Sequence, residues 1–260
     1  MIPRLKANAL VRVLTHGRTS PCVVLASNAE GETHEVVIKW RSGPEQKDVG
    51  GICELACSLL ADDLGLRTPK PSLVEIDEEF HRAIRDPRLA KIVEQSSGLN
   101  FGSSFLAGHN TWPRDKSLPL HLQQVGLETF AFDVLVENPD RRQAKPNILW
   151  NGGELALCDH EQAFSFVRGV LFWKPAWAGG DLKHFREHIF FDQLKGTITN
   201  LNRLNGALAA LSDKRLAEYA DAIPDAWKIG NDATAKILDY IRQARENPVA
   251  LFAAINEILK

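Results

Sequence analysis

The sequence predicts an α+β chain with two lobes, a small β-rich N-terminal lobe and a larger, mainly helical C-terminal lobe. Two observations carry this prediction. Short β-branched segments separated by turn residues fill the first part of the chain, whereas apolar residues at helical spacing dominate from Asp181 onward. The length of 260 residues is also sufficient for two packed lobes with a substantial core. A cleft between such lobes is a common place for a ligand.

The composition excludes several other classes of protein. Hydrophobic residues make up 44% and charged residues 25% of the chain, which rules out collagen-like, disulfide-scaffold and disordered proteins. Lysine and arginine number 31 against 33 aspartate and glutamate residues, for a formal net charge of -2. A near-neutral balance provides no bulk attraction for a polyanion, so direct nucleic-acid binding is not expected.

The sequence also predicts where the protein resides. A run of about 18 apolar residues is lacking, so no membrane span is expected, and the first residues lack the apolar core of a signal peptide. The four cysteines show neither a CxxC pair nor zinc-finger spacing. Cys53 and Cys57 lie one helical turn apart in an apolar stretch, which favours buried free thiols over a redox or metal pair. These features predict a reducing, cytoplasmic compartment.

The N-terminal elements follow from hydrophobic patterning and turn residues. We predict an antiparallel meander of three strands, then an apolar helix, then two strands separated by a charged surface helix. The predicted bounds are residues 9–14, 22–26 and 35–40 for the meander, 52–66 for the helix, 71–76 and 101–106 for the later strands, and 77–95 for the surface helix.

The character of the sequence changes after Gly108. A polar connection leads into a strongly apolar helix, which is followed by a β-hairpin with an Asn-Gly turn and then by a helical region. The predicted bounds are residues 109–118 for the connection, 120–137 for the helix, 148–159 for the hairpin, and 181–204, 205–222 and 232–259 for the later helices.

The third strand carries a lysine in an apolar setting. Strand alternation places Val36, Ile38 and Trp40 on one face and Val37 with Lys39 on the other. One interpretation is a phosphate-binding lysine that projects into the cleft. The alternative is an edge-strand lysine whose amine reaches water.

Polar residues crowd into the loop between the apolar helix and the hairpin. A register that pairs Trp150 with Glu154 brings Asn147 and Asp159 close enough to share one small ion. Asp140 precedes them in the same loop and would lie over the opening of the same site. The structural alternative is that Asp140 and Asn147 are turn residues and Asp159 is a helix cap.

The residue types in this loop suit phosphoryl transfer. Mg²⁺ prefers carboxylates and nucleotide phosphates as ligands, which Asn147 and Asp159 would complement with their side-chain oxygens. A further carboxylate, Asp140, would orient or deprotonate the attacking hydroxyl, and Lys39 would hold phosphates. The order of these four residues along the chain, with the expected elements between them, favours this chemistry over the structural alternative.

Two segments carry a resemblance to a known family. VVIK, residues 36–39, resembles the V-A-I-K strand of protein kinases. FDVLVENPDRRQAKPNILWNGGELALCDHEQAF, residues 132–164, resembles the catalytic loop and metal-binding segment of HipA-like kinases, within the protein-kinase and phosphoinositide-kinase-like superfamily. Looser similarity at residues 53–69, 100–104 and 223–227 extends the resemblance over most of the chain.

The resemblance implies a fold and an activity. It implies a bilobal protein-kinase-like fold with an N-lobe at residues 1–107 and a C-lobe at residues 108–260. The implied activity is ATP- and Mg²⁺-dependent phosphorylation of a hydroxyl, most simply that of a serine or threonine in a protein. A small-molecule or lipid acceptor and a nucleotide-binding pseudokinase without chemistry are the alternatives. An antitoxin-like protein is the further partner that the resemblance raises.

The resemblance also implies roles for individual residues. Asp140 would be the catalytic aspartate, Asn147 and Asp159 would bind Mg²⁺, and Lys39 would bind the α- and β-phosphates. Glu54 would pair with Lys39, although Glu54 falls opposite the apolar stripe of its predicted helix, which makes surface exposure the alternative.

The nucleotide-binding residues follow from the same resemblance. The adenine would lie against Val24 and Val37. The turn Gly17, Arg18, Thr19 and Ser20 would cradle phosphate through backbone N–H groups and hydroxyls, or would be a plain turn, because it holds one glycine instead of the usual three.

Three departures from the protein-kinase pattern bear on the site. The aspartate-to-asparagine spacing is seven positions instead of five. His160 follows the metal aspartate where protein kinases have phenylalanine, and it would either orient Asp159 or serve a structural role. The aromatic segment between Gly169 and Gly180 would pack on the helical lobe, or would form a substrate platform or lid.

Overall fold

Five N-terminal strands form a closed barrel in the order β1-β2-β3-β5-β4. The computed structural model describes residues 2–14, 20–42, 47–169, 173–197 and 199–260. The strands are β1 Arg4–Val13, β2 Cys22–Ser27, β3 Thr33–Lys39, β4 Pro71–Ile76 and β5 Gly98–Ser104. Each predicted strand is present, and the three strands of the meander pair antiparallel as expected.

The closure of the barrel is a feature that the sequence analysis did not predict. It depends on a parallel pairing of β1 with β4, while β5 pairs antiparallel with both β3 and β4. The interior is filled by small and branched apolar side chains from β1 to β4, with the Trp40 ring at one end. These interior residues include Leu5, Ala7, Cys22, Val24, Ala26, Val36, Ile38, Val74 and Ile76.

Two short helices replace the single surface helix predicted between β4 and β5. They are α2 Glu78–Ala83 and α3 Pro87–Gln95. Asp86 separates them, because its carboxylate caps α3 by accepting hydrogen bonds from two backbone N–H groups and Pro87 occupies the first helical turn. Phe80 and Val93 pack against the barrel core, so the helices are charged on one side only.

The long helix of the N-terminal region, α1 Lys47–Asp63, lies between the barrel and the helical part of the chain. Eleven of its residues are buried. Among them are Cys53 and Cys57, which are free thiols as predicted. Tyr219 donates a hydrogen bond of 2.5 Å to Asp63 at the end of the helix. Trp227 packs against Gly51 near the start. The helix is therefore held at both ends by the helical lobe.

The C-terminal lobe is built around α4 Gln123–Leu135, in which every residue from 126 to 135 is buried. A small three-stranded sheet in the order β6-β7-β8 lies beside it, with strands β6 Asn110–Thr111, β7 Ile148–Trp150 and β8 Leu155–Leu157. The remaining helices are α5 Phe191–Leu194, α6 Asn202–Ala210, α7 Asp213–Ala222, α8 Asp225–Lys228, α9 Ala233–Glu246 and α10 Pro248–Ile258.

The helical prediction after Asp181 is correct in kind and too coarse in its bounds. The predicted helix 181–204 consists of a short 3-10 turn, α5 and the start of α6, and the predicted helix 232–259 breaks at Pro248. Among the described residues, none of the helices combines the length and the apolar character that a bilayer span requires.

Candidate active site

Lys39 lies at the junction of the barrel and the helical lobe. It ends β3, and its ammonium contacts Glu54 of α1 and, at 2.5 Å, Asp159, which follows β8. Burial alone would lower the pKa of Lys39, but the two carboxylates outweigh it and hold the pKa far above its usual value. The lysine therefore faces the cleft as a permanent cation, and the edge-strand alternative is wrong.

Glu54 is buried, which excludes the surface position that the helical wheel allowed. Its side chain is 3% exposed and accepts a hydrogen bond of 3.0 Å from the backbone N–H of His160. Burial would raise the pKa of Glu54, yet Lys39 and His160 hold it well below the usual value. The helical wheel fails because α1 is packed on nearly all sides, so no face of it is reserved for solvent.

Asp140 lies in the loop between α4 and β7, where its side chain is 9% exposed. Two cations approach it, Lys145 at 3.1 Å and Arg142 at 3.3 Å. The Asn147 amide nitrogen donates a hydrogen bond of 3.4 Å to the same carboxylate. The segment from Asp140 to Asn147 folds back on itself, because the backbones of Arg142 and Lys145 hydrogen-bond to each other. This turn brings Asn147 back beside Asp140.

The hairpin that carries Asp159 has a different register from the predicted one. Trp150 pairs with Leu155, not with Glu154, because the Asn151 side chain accepts hydrogen bonds from the backbone of Gly153 and Glu154 and draws Glu154 into the turn. The shift places Asn147 opposite Cys158, whose N–H donates to the Asn147 carbonyl at 3.1 Å. Asn147 and Asp159 still lie at adjacent ends of the two strands.

The side chains at this end of the hairpin fit a magnesium ion. In the described part of the chain, the hydrogen bonds of the Asn147 side chain use its nitrogen, so its oxygen remains available to a cation. Asp159 is 34% exposed and offers a carboxylate. One amide and one carboxylate oxygen, completed by nucleotide phosphates, suit Mg²⁺. The described residues contain no group of three or more His, Cys, Asp or Glu side chains placed to hold a metal without such phosphates.

The sheet face that carries Lys39 contains Val23, whereas the prediction placed Val24 there. Val24 pairs with Val36 and points into the barrel core, so the prediction for Val24 is wrong. Val23 pairs with Val37 and lies on the same face of the sheet as Lys39. The error arises because the run Cys22–Leu25 is apolar throughout, and such a run does not reveal which residues face inward.

The predicted phosphate loop is described only in part. Gly17, Arg18 and Thr19 lie outside the described residues. Ser20 follows them with a φ of 50°, and its carbonyl accepts a hydrogen bond of 2.9 Å from the Trp40 indole. This bond ties the end of the predicted loop to the end of β3, next to Lys39.

His160, Trp173 and Trp177 make packing contacts, while residues 170–172 of the aromatic segment lie outside the described residues. The His160 ring lies 3.7 Å from Glu54 and edge-on to Phe132, so it packs beside Glu54 and does not orient Asp159. Trp173 and Trp177 stack on Tyr240, with ring centroids 5.7 and 4.9 Å away, which agrees with packing on the helical lobe.

Two residues of the site were missed by the sequence analysis. Lys145 contacts both oxygens of Asp140, and a lysine five positions after an aspartate in a polar loop was an available signal. Arg141 is fully buried and bonded to Asp133, one of two carboxylates in α4, the other being Glu128. A buried acid in a largely apolar helix predicts a cationic partner.

This combination defines a class of protein. A barrel lysine paired with a helix glutamate faces an aspartate loop and an aspartate-bearing hairpin, which is the arrangement of a kinase-type phosphotransferase. The model of the family described as HipA-like kinase matches residues 8–250. The chain therefore belongs to the HipA-like kinase family. A comparison with curated protein sequences finds no match.

Similarity to solved structures concerns the fold. The Helicobacter pylori proinflammatory kinase CtkA superposes with a TM-score of 0.51 at 13% sequence identity, covering 94% of both chains. The open conformation of CtTel1 and its FAT and kinase domain give TM-scores of 0.41 and 0.40 at 12% identity. These two alignments cover 94% of this chain but 12% and 22% of the CtTel1 chains.

Proposed function

We propose that this kinase-type phosphotransferase transfers the γ-phosphoryl group of ATP, with Mg²⁺, to a hydroxyl acceptor, most simply a serine or threonine of a protein. The observation that carries the proposal is the meeting of Lys39 with both Glu54 and Asp159 across the cleft. A phosphate-binding lysine needs a carboxylate to fix its ammonium and a metal carboxylate beside it.

Each residue then has a defined role. Lys39 holds phosphates and neutralises the charge that develops on them, and Glu54 fixes the position of Lys39. Asn147 and Asp159 hold Mg²⁺, which supplies a positive charge on the phosphates when bound. Asp140 orients the acceptor hydroxyl and accepts its proton.

The cations around Asp140 support the same assignment. Lys145 and Arg142 are each 41% exposed, so they can move away from the carboxylate at low cost when substrates enter. Their charges favour an anionic phosphate chain beside Asp140. A pseudokinase would bind nucleotide without transfer, and ATP hydrolysis or autophosphorylation separates that alternative from the proposed enzyme.

Thermal unfolding with ATP tests the proposal directly. ATP with Mg²⁺ at about 100 times its Kd should stabilise the wild-type chain by about 2.7 kcal/mol. For a chain of this size that corresponds to a rise in Tm of about 5–10 °C. The Asp159→Asn variant should lose the Mg²⁺-dependent part of the rise, because a neutral amide replaces the ligand carboxylate.

The matched control is Asp221→Asn, which removes an exposed aspartate at the end of α7. It should keep the full Mg²⁺-dependent rise in Tm. Equal behaviour of wild type and Asp159→Asn would remove Asp159 from the metal site. A wild-type Tm that does not respond to Mg²⁺ and ATP would contradict the proposed function itself.

A further inference from the structure

A buried ionic cluster lies behind the catalytic loop. We call it the Arg141 cluster, and it comprises Asp133, Asn138, Arg141 and His188. The Asp133 carboxylate accepts hydrogen bonds from Arg141 at 2.6 and 3.2 Å, from Asn138 at 2.9 Å and from the His188 ring at 3.0 Å. The side chains of Asp133 and Arg141 are both 0% exposed.

The other side of the same guanidinium binds the backbone of the candidate metal ligands. Arg141 Nη1 donates to the carbonyl of Asn147 and, at 3.1 Å, to the carbonyl of Cys158. Asn147 is itself a candidate ligand, and Cys158 directly precedes the other, Asp159. One side chain therefore connects the two strands at the point where both oxygen ligands leave them.

The backbone at this point needs such support. Asn147 has a φ of 50° and Asp159 a φ of 62°, both in the left-handed region that residues with a side chain rarely adopt. Residues held there persist where the surrounding structure over-determines them, and they concentrate at functional sites. Arg141 supplies a fixed anchor for both.

We propose that Arg141 is a positioning residue for the metal site, and that its guanidinium sets the spacing of the Asn147 and Asp159 side chains. The inference rests on the proposed function, since it takes these two residues as Mg²⁺ ligands. Arg141 itself is fully buried and does not line the cleft. It acts through the backbone of the ligands, as the groups that support metal ligands in other proteins do.

The chemistry of arginine explains why this residue type is required. A guanidinium is a rigid plane with five N–H donors, so it can hold a carboxylate with one edge and two carbonyls with the other. A lysine ammonium is one point charge with three donors on a flexible stem. It can neutralise Asp133 but cannot hold both strands at a fixed separation. Arg141→Lys should therefore preserve the ion pair and lose the spacing.

The chain offers a control that is matched in its bonds, although its side chain is 48% exposed and that of Arg141 is buried. Arg203 binds the Glu128 carboxylate through Nε at 2.8 Å and through Nη2, and it donates to the Leu64 carbonyl at 2.8 Å. It thus joins a carboxylate of α4 to a backbone carbonyl, as Arg141 does, but at the end of α1 remote from the hairpin. Arg203→Lys removes the same kind of bonds without touching the candidate metal ligands.

The experiment measures metal affinity without catalysis. Mg²⁺ is titrated into each chain with a saturating non-hydrolysable ATP analogue and the rise in Tm is recorded, and the analogue is titrated separately in EDTA. Arg141→Lys should weaken Mg²⁺ binding by about 10–100-fold and leave metal-free nucleotide affinity unchanged. Arg203→Lys should leave both affinities at the wild-type value.

The outcomes separate this inference from the proposed function. Wild-type Mg²⁺ affinity in Arg141→Lys would overturn the positioning role while the proposed function stands. The absence of Mg²⁺-dependent binding in the wild type would overturn both. Equal weakening of Mg²⁺ binding in Arg203→Lys would reduce the Arg141 effect to general destabilisation and also overturn the inference.

A second variant keeps the test valid if Arg141→Lys does not fold. The double variant Asp133→Leu with Arg141→Met removes both buried charges together, so neither is left without its ionic partner. It lacks both guanidinium hydrogen bonds to the two carbonyls. The positioning role requires the same loss of Mg²⁺ affinity in this variant, and an unchanged Mg²⁺ affinity would refute it.

Discussion

Replacement of Asp140 by alanine is expected to lower phosphoryl transfer by about 10²–10⁴-fold, the usual contribution of a positioned acid–base group. The Asp140 carboxylate contacts Lys145 and Asn147. The carboxylates that pair with Lys39 are those of Glu54 and Asp159. Removal of Asp140 would therefore withdraw the group proposed to orient the acceptor hydroxyl and would leave Lys39 in place.

Nucleotide binding should survive this substitution. Lys145 and Arg142, the cations that Asp140 releases, are partly exposed and can be solvated, so no buried charge is left without a partner. The rate of phosphate release or autophosphorylation from γ-labelled ATP measures transfer, and the Tm rise with Mg²⁺ and ATP measures binding. Asp221→Asn is the control for loss of a carboxylate elsewhere in the lobe.

Two results would contradict the assignment of Asp140. Transfer at the wild-type rate in Asp140→Ala would assign the acceptor-orienting role to another group. Loss of nucleotide binding together with transfer would place Asp140 among the phosphate- or metal-binding residues instead. Asp140→Asn, which keeps the shape and loses the charge, should reproduce the loss of transfer.

The parts of the fold that depend on local pattern could be predicted from the sequence. Strand alternation placed Lys39 and Val37 on one face, and the structure confirms that Val36 and Ile38 are buried in the barrel. The apolar spacing of α1 and α4 predicted both helices. The closed barrel could not be predicted in this way, because β1 and β4 are distant in sequence and no local signal specifies their parallel pairing.

The errors in the site have a common physical origin. The prediction names Val24 in place of Val23 because the apolar run Cys22–Leu25 shows no alternation of apolar and polar residues. The predicted hairpin register is off by one residue because hydrogen bonds to the Asn151 side chain include Glu154 in the turn. Both errors are one residue in size, and a shift of one residue moves a side chain to the opposite face of a strand. Sequence pattern therefore predicts which segments meet more reliably than which side chains do.

The Arg141 cluster was not predicted from the sequence because it is formed by contacts between residues that are distant along the chain. Arg141 is held by Asp133, eight residues earlier, and Asp133 also by His188, far along the chain. Such a cluster is recognisable only once α4 and the segment before α5 are packed together. The resemblance to kinases predicts the groups at the cleft, whereas the buried groups behind them became visible only in the structure.

Replacement of Glu137 by glutamine is expected to stabilise the protein at pH 8 and to leave it nearly unchanged near pH 4. Glu137 is 4% exposed and lies at the start of the loop that carries Asp140. Burial raises its pKa from 4.5 to about 7, against a smaller opposing effect of the Trp173 side chain. The native state is thus forced to bury a charge when this carboxyl ionises.

The sign of the pH dependence follows from proton linkage. Between pH 4.5 and 7 the folded chain keeps a proton on Glu137 that the unfolded chain has lost, so the free energy of unfolding falls as the pH rises. A shift from 4.5 to about 7 corresponds to roughly 3 kcal/mol. This contribution is fully present below pH 4.5 and is lost above about pH 7. Glutamine is neutral throughout, so the variant should not show this loss.

Urea unfolding of wild type and Glu137→Gln at pH 5, 6, 7 and 8 measures the effect. The difference between the two chains is diagnostic because His184 and His188, whose pKa values burial lowers, change stability in the opposite direction in both. The difference should grow from about 1 kcal/mol at pH 5 to about 3 kcal/mol at pH 8. Glu94→Gln, at an exposed position of α3, should show no such growth. A difference that stays constant with pH would mean that Glu137 ionises in the folded chain as it does in the unfolded one, and that the start of the catalytic loop tolerates the charge.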